Sequence, residues 1–261
     1  MKTNYHTHTE HCRHAAGLPA DYARQALECG ISILGMSDHA PFKDVDYGYR
    51  MPFSELDMYI DEVQAAKEDF AGSVKILSSL EIEYLPKYTR GKNYYEKLLT
   101  EKKMDYLLLG EHFFTDRHGD LHNITSIETP ALAVEYAEAC STAMKTGYFK
   151  IIAHPDLFCI NSFSWNDDYE RASDILIESS ERTGVVLELN ANGIRRGLRK
   201  FPDGERYQYP HMRFWEKVKQ AGLPAIVGSD AHNMKDLWDE AMEKSIQMLD
   251  SLGIRGIGEI K

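Results

Sequence analysis

Short runs of β-branched and other apolar residues alternate with longer stretches whose apolar positions recur at helical spacing, and the alternation repeats seven times along the chain. The pattern predicts strands at residues 3–9, 31–37, 74–82, 106–111, 150–154, 185–190 and 225–229. Helices are predicted at 19–29, 54–70, 93–103, 130–146, 169–182, 209–220 and 236–252. Glycines stand where left-handed C-terminal caps are expected, at Gly30, Gly72, Gly147, Gly184, Gly222 and Gly253. The polar stretch 201–209 reads as a long loop over one end of the molecule.

Strands that alternate with helices form a parallel sheet with right-handed crossovers, either a closed barrel or an open doubly wound sheet. Polar residues choose between the two. His6-Thr7-His8, Ser37-Asp38-His39, Glu81-Ile82-Glu83, Glu111-His112, His154-Pro155-Asp156 and Ser229-Asp230-Ala231-His232 sit at or just beyond the C-terminal ends of predicted strands. Only a closed barrel gathers those ends around one axis. No Gly-x-Gly-x-x-Gly or Walker-type loop follows a strand, so the nucleotide-binding version of the open sheet has no support. No linker or low-complexity tract divides the chain. The expectation is an α/β protein, one TIM-like barrel unit over residues 1–261.

Composition narrows the function. With 261 residues, 43% of them hydrophobic, the chain can bury a full core. A formal net charge of −11 disfavours wrapping of an extended nucleic acid. No apolar run is long enough for a membrane span and no secretory signal opens the sequence, so no membrane partner is expected and the cytoplasm is the expected location. Cys12, Cys29, Cys140 and Cys159 form no Cys-x-x-Cys pair and read as reduced thiols.

Imidazoles and carboxylates are the donors from which Zn, Mn or Fe sites are built. A single His-Pro-Asp or Ser-Asp step is more often a turn or a helix cap. Ligand-competent residues at nearly every strand end are not explained by caps and turns, and point to a multinuclear metal site. Period-two alternation puts Glu83 on the same side as Glu81, behind the ligands; Glu111 is a similar near-miss. Both His11 and His14 lie close enough to the first strand to reach a metal. His118, His122 and His211 read as surface or loop residues, with His211 able to line the mouth. Arg195, Arg196 and Arg199 follow the sixth strand on an otherwise acidic chain and suit an anionic substrate. Arg195, nearest the strand end, is the expected phosphate contact, with Arg196 pointing elsewhere; Arg50 and Arg13 are weaker candidates.

The His-Thr-His-Thr start with Cys12 and His14, Ser37-Asp38-His39-Ala40-Pro41, Arg50-Met51-Pro52, the run from Leu189 to Arg195, and Gly228-Ser229-Asp230-Ala231-His232 together resemble the polymerase and histidinol phosphatase (PHP) superfamily, in its histidinol-phosphatase branch. The resemblance runs over the whole chain and implies a distorted (β/α)7 barrel with three divalent metal ions, Zn, Mn or Fe. It implies one ion held by His6, His8, Glu81 and Asp230, a second by Glu81 with His112 and His154, and a third by His14, His39 and His232. Family spacing favours His14 over His11 for the third ion. Asp230, His39 and His232 are the expected catalytic residues, Asp230 also as a proton acceptor. The implied reaction is hydrolysis of a small phosphorylated metabolite, best matched by L-histidinol phosphate in histidine biosynthesis; the alternative is a PHP-type phosphodiesterase or nuclease, which would want a basic groove. Glu10 stands where such phosphatases often have Pro, and Leu157 to Ile160 where they often carry a basic residue, which leaves room for another small phosphomonoester.

Overall fold

The computed structural model describes residues 1–46, 48–89 and 93–260. Along the first half run β1 (Lys2–Asn4), α1 (Pro19–Cys29), β2 (Ile31–Met36), α2 (Leu56–Asp69), β3 (Lys75–Ser78), β4 (Glu81–Ile82), α3 (Asn93–Thr100), β5 (Leu108–Leu109) and a hairpin of β6 (Phe113–Thr115) and β7 (Leu121–Asn123). There follow α4 (Ala131–Met144), β8 (Ile151–Ile152), α5 (Asp167–Thr183), β9 (Val186–Asn190), the short α6 (Ala191–Arg195), a second hairpin of β10 (Leu198–Phe201) and β11 (Gly204–Tyr207), α7 (Met212–Gln220), β12 (Ala225–Gly228) and α8 (Glu240–Leu252).

Two parallel sheets, ordered β1-β2-β3 and β12-β9-β8-β5-β4, make the frame. Isolated parallel bridges join them at both edges, His39 to Glu81 and Thr7 to Ala231. With β3 and β4 taken as one bent strand, every strand of these two sheets therefore has a parallel neighbour on each side, the arrangement of a distorted seven-unit barrel. Tyr5, Ile33, Tyr106, Leu108, Ile151 and Ile226 form a small buried cluster separate from the main core. Their strand neighbours Leu34, Leu109, Ile152 and Ala225 belong instead to the core shared with the helices. Alternation along each strand thus divides the barrel's interior from its helical jacket. Among the described residues, no helix is long and apolar enough to cross a membrane.

The strands are shorter than the apolar runs that predict them, because side chains take over from the ladder near the C-terminal ends. Beyond Asn4, Thr7 Oγ1 donates to the Gly35 carbonyl at 2.8 Å and the Thr7 amide donates to Ser37 Oγ at 3.0 Å, so the chain stays extended without regular pairing. The predicted strand 74–82 bends at Ser79 and Leu80, and the Glu81 amide then faces the carbonyls of Ser37 and Asp38. Caps reset two helix starts. Asn166 accepts from the amides of Asp168 and Tyr169, opening α5 before the predicted residue 169, and Asp239 accepts from Met242, opening α8 after the predicted 236. The stretch read as a loop at 201–209 contains most of the β10–β11 hairpin.

Candidate metal centre

His6 and His8 leave the first strand with both rings fully buried and their Nε2 atoms 3.0 Å apart. His6 cannot turn away, because its Nδ1 lies 2.9 and 3.0 Å from the two oxygens of Glu188. A ring that gives its Nδ1 proton to a carboxylate keeps Nε2 as a lone pair. The same logic holds for a second pair. His14 Nδ1 donates to the Cys12 carbonyl at 2.8 Å and His232 Nδ1 to the Asp230 carbonyl at 3.1 Å, leaving their Nε2 atoms face to face at 2.9 Å. Two lone pairs, or two N–H groups, at such a distance repel; a cation between them accepts both lone pairs.

Glu81 lies at the centre. Its Oε2 is 3.0 Å from His39 Nδ1 and 3.4 Å from both His6 and His8 Nε2, while Oε1 is 3.0 Å from His154 Nε2 and 3.7 Å from His112 Nε2. Although buried and surrounded by imidazoles, Oε2 makes no hydrogen bond among the described residues. Asp230 presents Oδ1 to His8 Nε2 at 3.2 Å and to His232 Nδ1 at 3.3 Å; its Oδ2 is held by the side-chain amides of Asn190 and Asn192. His6, His8 and Glu81, then His39, Glu81 and His112, then His8, His39 and His232, each bring one donor atom within 4.8 Å of the others. Buried donors without proton partners, in imidazole–carboxylate groups of this kind, fit a divalent metal ion.

Electrostatics favour the ligand forms of most of these groups. Burial alone would lift the Glu81 carboxyl, but His6, His112 and His39 hold it well below the carboxylate range; Asp230 is held down likewise against burial by His6 and His8. Burial and the charge of His8 push His39 down to about 3, and the same pair of causes brings His232 to about 4, so both rings stay neutral. His6, His8 and His112 go the other way: burial lowers each, yet Glu188, Glu81 and Asp230 hold His6 well above its usual value, Asp230, Asp38 and Glu81 bring His8 to about 9, and Glu81 and Glu83 raise His112, the response of imidazoles whose neighbours supply negative charge for a cation.

The backbone is shaped to this cluster. His154 and Asp230 adopt φ of 30° and 48°, a left-handed region that costs a residue other than glycine about 1 kcal/mol or more. Two glycines give the carboxylates room. A Cβ on Gly110 would lie 2.2 Å from Glu81 Oε1, and one on Gly228 only 1.7 Å from Glu188 Oε1. Gly228→Ala should therefore displace Glu188 and cost about 2–3 kcal/mol of stability, read as a lower melting temperature together with weaker metal retention.

All nine candidate ligands, His6, His8, His14, His39, Glu81, His112, His154, Asp230 and His232, converge on one end of the barrel, most of them lining a cavity of about 260 Å³. His14 faces His232, whereas the His39 ring lies 4.2 Å from His8, 5.3 Å from His14 and 6.3 Å from His232 between centroids. Glu83 stands behind His112, 3.5 Å from its Nδ1, with two bonds of 2.9 and 3.0 Å from the Arg50 guanidinium; burial opposes its charge but Arg50 holds it at about 2. Glu111 faces away, accepting from the Tyr84 amide, and burial raises it well above the carboxylate range. His11 is turned toward α2, 2.9 Å from Glu62. His118 is exposed, and His122 pairs with Asp116 at 3.0 Å. His211, expected at the surface or mouth, is buried, capping α7 and stacked on Trp165. Arg13 pairs with Asp46 on the surface.

The arginines correct an expectation. Arg195 is tied to Asp239 by bonds of 2.7 and 3.2 Å and to the carbonyls of Ser229 and Asp236, which clamps α6 to the start of α8. Arg196, expected to point elsewhere, lines the cavity, its guanidinium 5.9 Å from the Tyr209 ring. Arg199 is exposed on β10 and is not among the residues lining the cavity. One residue along the helical α6 turns the side chain by about 100°. Arg195→Ala should accordingly lose about 2 kcal/mol of stability, visible in thermal unfolding, with kcat/KM of the folded, metal-loaded protein near wild type.

Glu188 is the residue that sequence reasoning missed. It bonds His6, accepts from the His154 amide at 3.1 Å and from the Asn190 side chain at 2.9 Å, and so ties three strand ends together. A carboxylate inside the apolar run Val185-Val186-Leu187-Glu188-Leu189 was the signal for it, since a buried charge needs a partner. Cys12 and Asp38 also approach the cluster. Burial raises the Cys12 thiol, and Asp38 is engaged by the Thr9 and His39 amides.

A match to the PHP domain covers residues 4–192. The chain belongs to the PHP family. It is 29% identical over 232 residues to a probable histidinol-phosphatase of Deinococcus radiodurans, covering 87% of this chain and 85% of that protein. With the histidinol-phosphatase of Bacillus subtilis it shares 23% identity over 91% of this chain and 96% of the relative. Among solved structures, histidinol phosphate phosphatase from Lactococcus lactis, complexed with Zn, L-histidinol and phosphate, superposes with a TM-score of 0.73 at 16% identity, covering 100% of this chain and 98% of the other. That likeness confirms the distorted-barrel PHP fold.

Proposed function

We propose that this protein is a metal-dependent phosphatase that hydrolyses a small phosphomonoester, L-histidinol phosphate above others, as a single-domain cytoplasmic enzyme of histidine biosynthesis. The observation that carries the reading is the convergence of facing imidazole nitrogens and the orphaned Glu81 Oε2 at one end of a cavity that also holds the Arg196 guanidinium. Three divalent ions, Zn, Mn or Fe, are assigned to this set: His6, His8, Glu81 and Asp230 for one, Glu81, His112 and His154 for a second, His14, His39 and His232 for a third. When bound, such ions supply Lewis-acid chemistry, activating water and neutralising charge on phosphoryl oxygens.

The chain's own residues do the rest. Glu188 fixes the ring orientation of His6, and the Glu83–Arg50 pair stands behind His112, so the donors are organised before substrate arrives. Two amides occupy Asp230 Oδ2, leaving Oδ1 as the oxygen for a ligand bond or a proton. Arg196 offers positive charge to a phosphate dianion from the opposite chemistry, a nitrogen donor rather than an acceptor. The relatives named as histidinol-phosphatases point to the ester. Purified protein loaded in turn with Zn, Mn or Fe is to be screened for phosphate release from histidinol phosphate, other small phosphomonoesters and a phosphodiester. The proposal expects histidinol phosphate to be the best substrate; cleavage confined to the diester overturns it in favour of a nuclease.

A further inference from the structure

Eight tyrosines are buried among the described residues. Seven of them donate the phenol to a backbone carbonyl, as Tyr106 does to Tyr5 and Tyr169 to Phe158. A buried phenol ordinarily finds such a partner, because an unpaired polar group away from water is costly. Tyr209 is the eighth. It is 2% exposed, no hydrogen bond to its hydroxyl exists among the described residues, and it lines the cavity that holds the metal ligands.

The placement of this ring is enforced from two sides. α6 packs so closely that a Cβ on Gly193 would lie 1.9 Å from the Tyr209 carbonyl oxygen and 2.5 Å from its ring. The segment just after it is pinned by Asp156, which accepts from the His211 amide at 2.6 Å and from Trp215 Nε1 at 3.2 Å. The ring meets His154 edge to face at 6.2 Å between centroids, and the Arg196 guanidinium lies 5.9 Å from it on the other hand. Tyr209 therefore bridges a candidate metal ligand and the one arginine of its cluster that reaches the cavity. A phenol, with an ordinary pKa of about 10, carries its proton at neutral pH and meets an anion as a donor.

We infer that Tyr209 donates its phenolic hydrogen to a phosphoryl oxygen of the bound substrate, beside Arg196. The hydroxyl left without a protein partner is reserved for the ligand, in the same cavity that Arg196 lines. This inference rests on the phosphomonoester reading of the site.

Tyr209→Phe isolates the hydroxyl, since the ring that packs on Gly193 and His154 is kept. Calorimetric binding of inorganic phosphate to metal-loaded protein is the measurement, with metal content and melting temperature determined on the same samples. The expected result is phosphate affinity about tenfold or more weaker, the scale of a lost hydrogen bond to a charged group, at unchanged metal content and melting temperature. The value of kcat/KM on the best phosphomonoester falls by a similar factor. Equal phosphate affinity in the two proteins, a loss that merely tracks lost metal, or no phosphate binding by wild type overturns the inference. Failure of wild type to hydrolyse any phosphomonoester defeats the phosphatase reading instead, and the phosphate-binding comparison still decides the role of Tyr209.

Discussion

Glu81→Gln is expected to remove bound divalent metal and phosphatase turnover together. Glu81 has four imidazoles within 3.4 Å of its two oxygens, and one of those oxygens has no proton to accept. An amide in its place offers one oxygen and one NH2 group, so one side of the former bridge would present hydrogens to imidazole lone pairs. The loss extends to both neighbouring ligand groups, because Glu81 belongs to each. A fall in kcat on the order of a thousandfold or more is expected, with at least one equivalent of metal lost by elemental analysis. Glu188→Gln should be milder, on the order of 10–100-fold, since it acts by orienting His6 rather than by binding. Wild-type metal content and rate in Glu81→Gln would remove the multinuclear site.

Asp230→Asn is expected to be nearly as severe while leaving the fold intact. Asn tolerates the left-handed backbone that Asp230 adopts at φ 48°, so the substitution adds no strain. The Asn190 and Asn192 amides both donate to Oδ2 and require an oxygen there. The new NH2 group must then point where Oδ1 now faces His8 and His232, turning a ligand oxygen into a donor. Thermal unfolding should stay cooperative at a lower melting temperature, because His6 and His8 lose the carboxylate that balances their charge, while metal analysis and steady-state kinetics show loss. If turnover fell with metal fully retained, Asp230 would act in proton transfer rather than ligation.

The chain announced its helices where local chemistry sets the boundary. α1 runs over the predicted residues because Pro19 opens it and Gly30, at φ 70°, closes it. Strand lengths were overestimated for a reason connected with function: the residues at strand ends give up ladder pairing to aim side chains inward, as Thr7 and Glu81 show. The β10–β11 hairpin carries a local signal, Asp203-Gly204 between runs of strand-like residues, but stands outside the alternation of seven parallel units. The candidate ligands were legible because turns and caps do not require imidazoles, whereas a metal does, and here imidazoles recur at successive strand ends. Glu188 and Tyr209 were not, since neither lies in a histidine motif, and their roles depend on which partners the folded chain supplies or withholds. The order of Arg195 and Arg196 was beyond reach for the opposite reason: their difference is one helical step in α6, an element the pattern did not predict.

The central claim is that this site hydrolyses a phosphomonoester by means of bound metal, and a metal titration tests it most directly. Protein stripped with a chelator and dialysed is to be titrated with Zn, Mn or Fe while phosphate release from L-histidinol phosphate is followed. The account predicts no turnover in the stripped protein, and a rate that rises to a plateau as the metal equivalents held by His6, His8, Glu81 and their neighbours are restored. Undiminished hydrolysis by metal-free protein, or none by protein reloaded with each of the three metals, would contradict it.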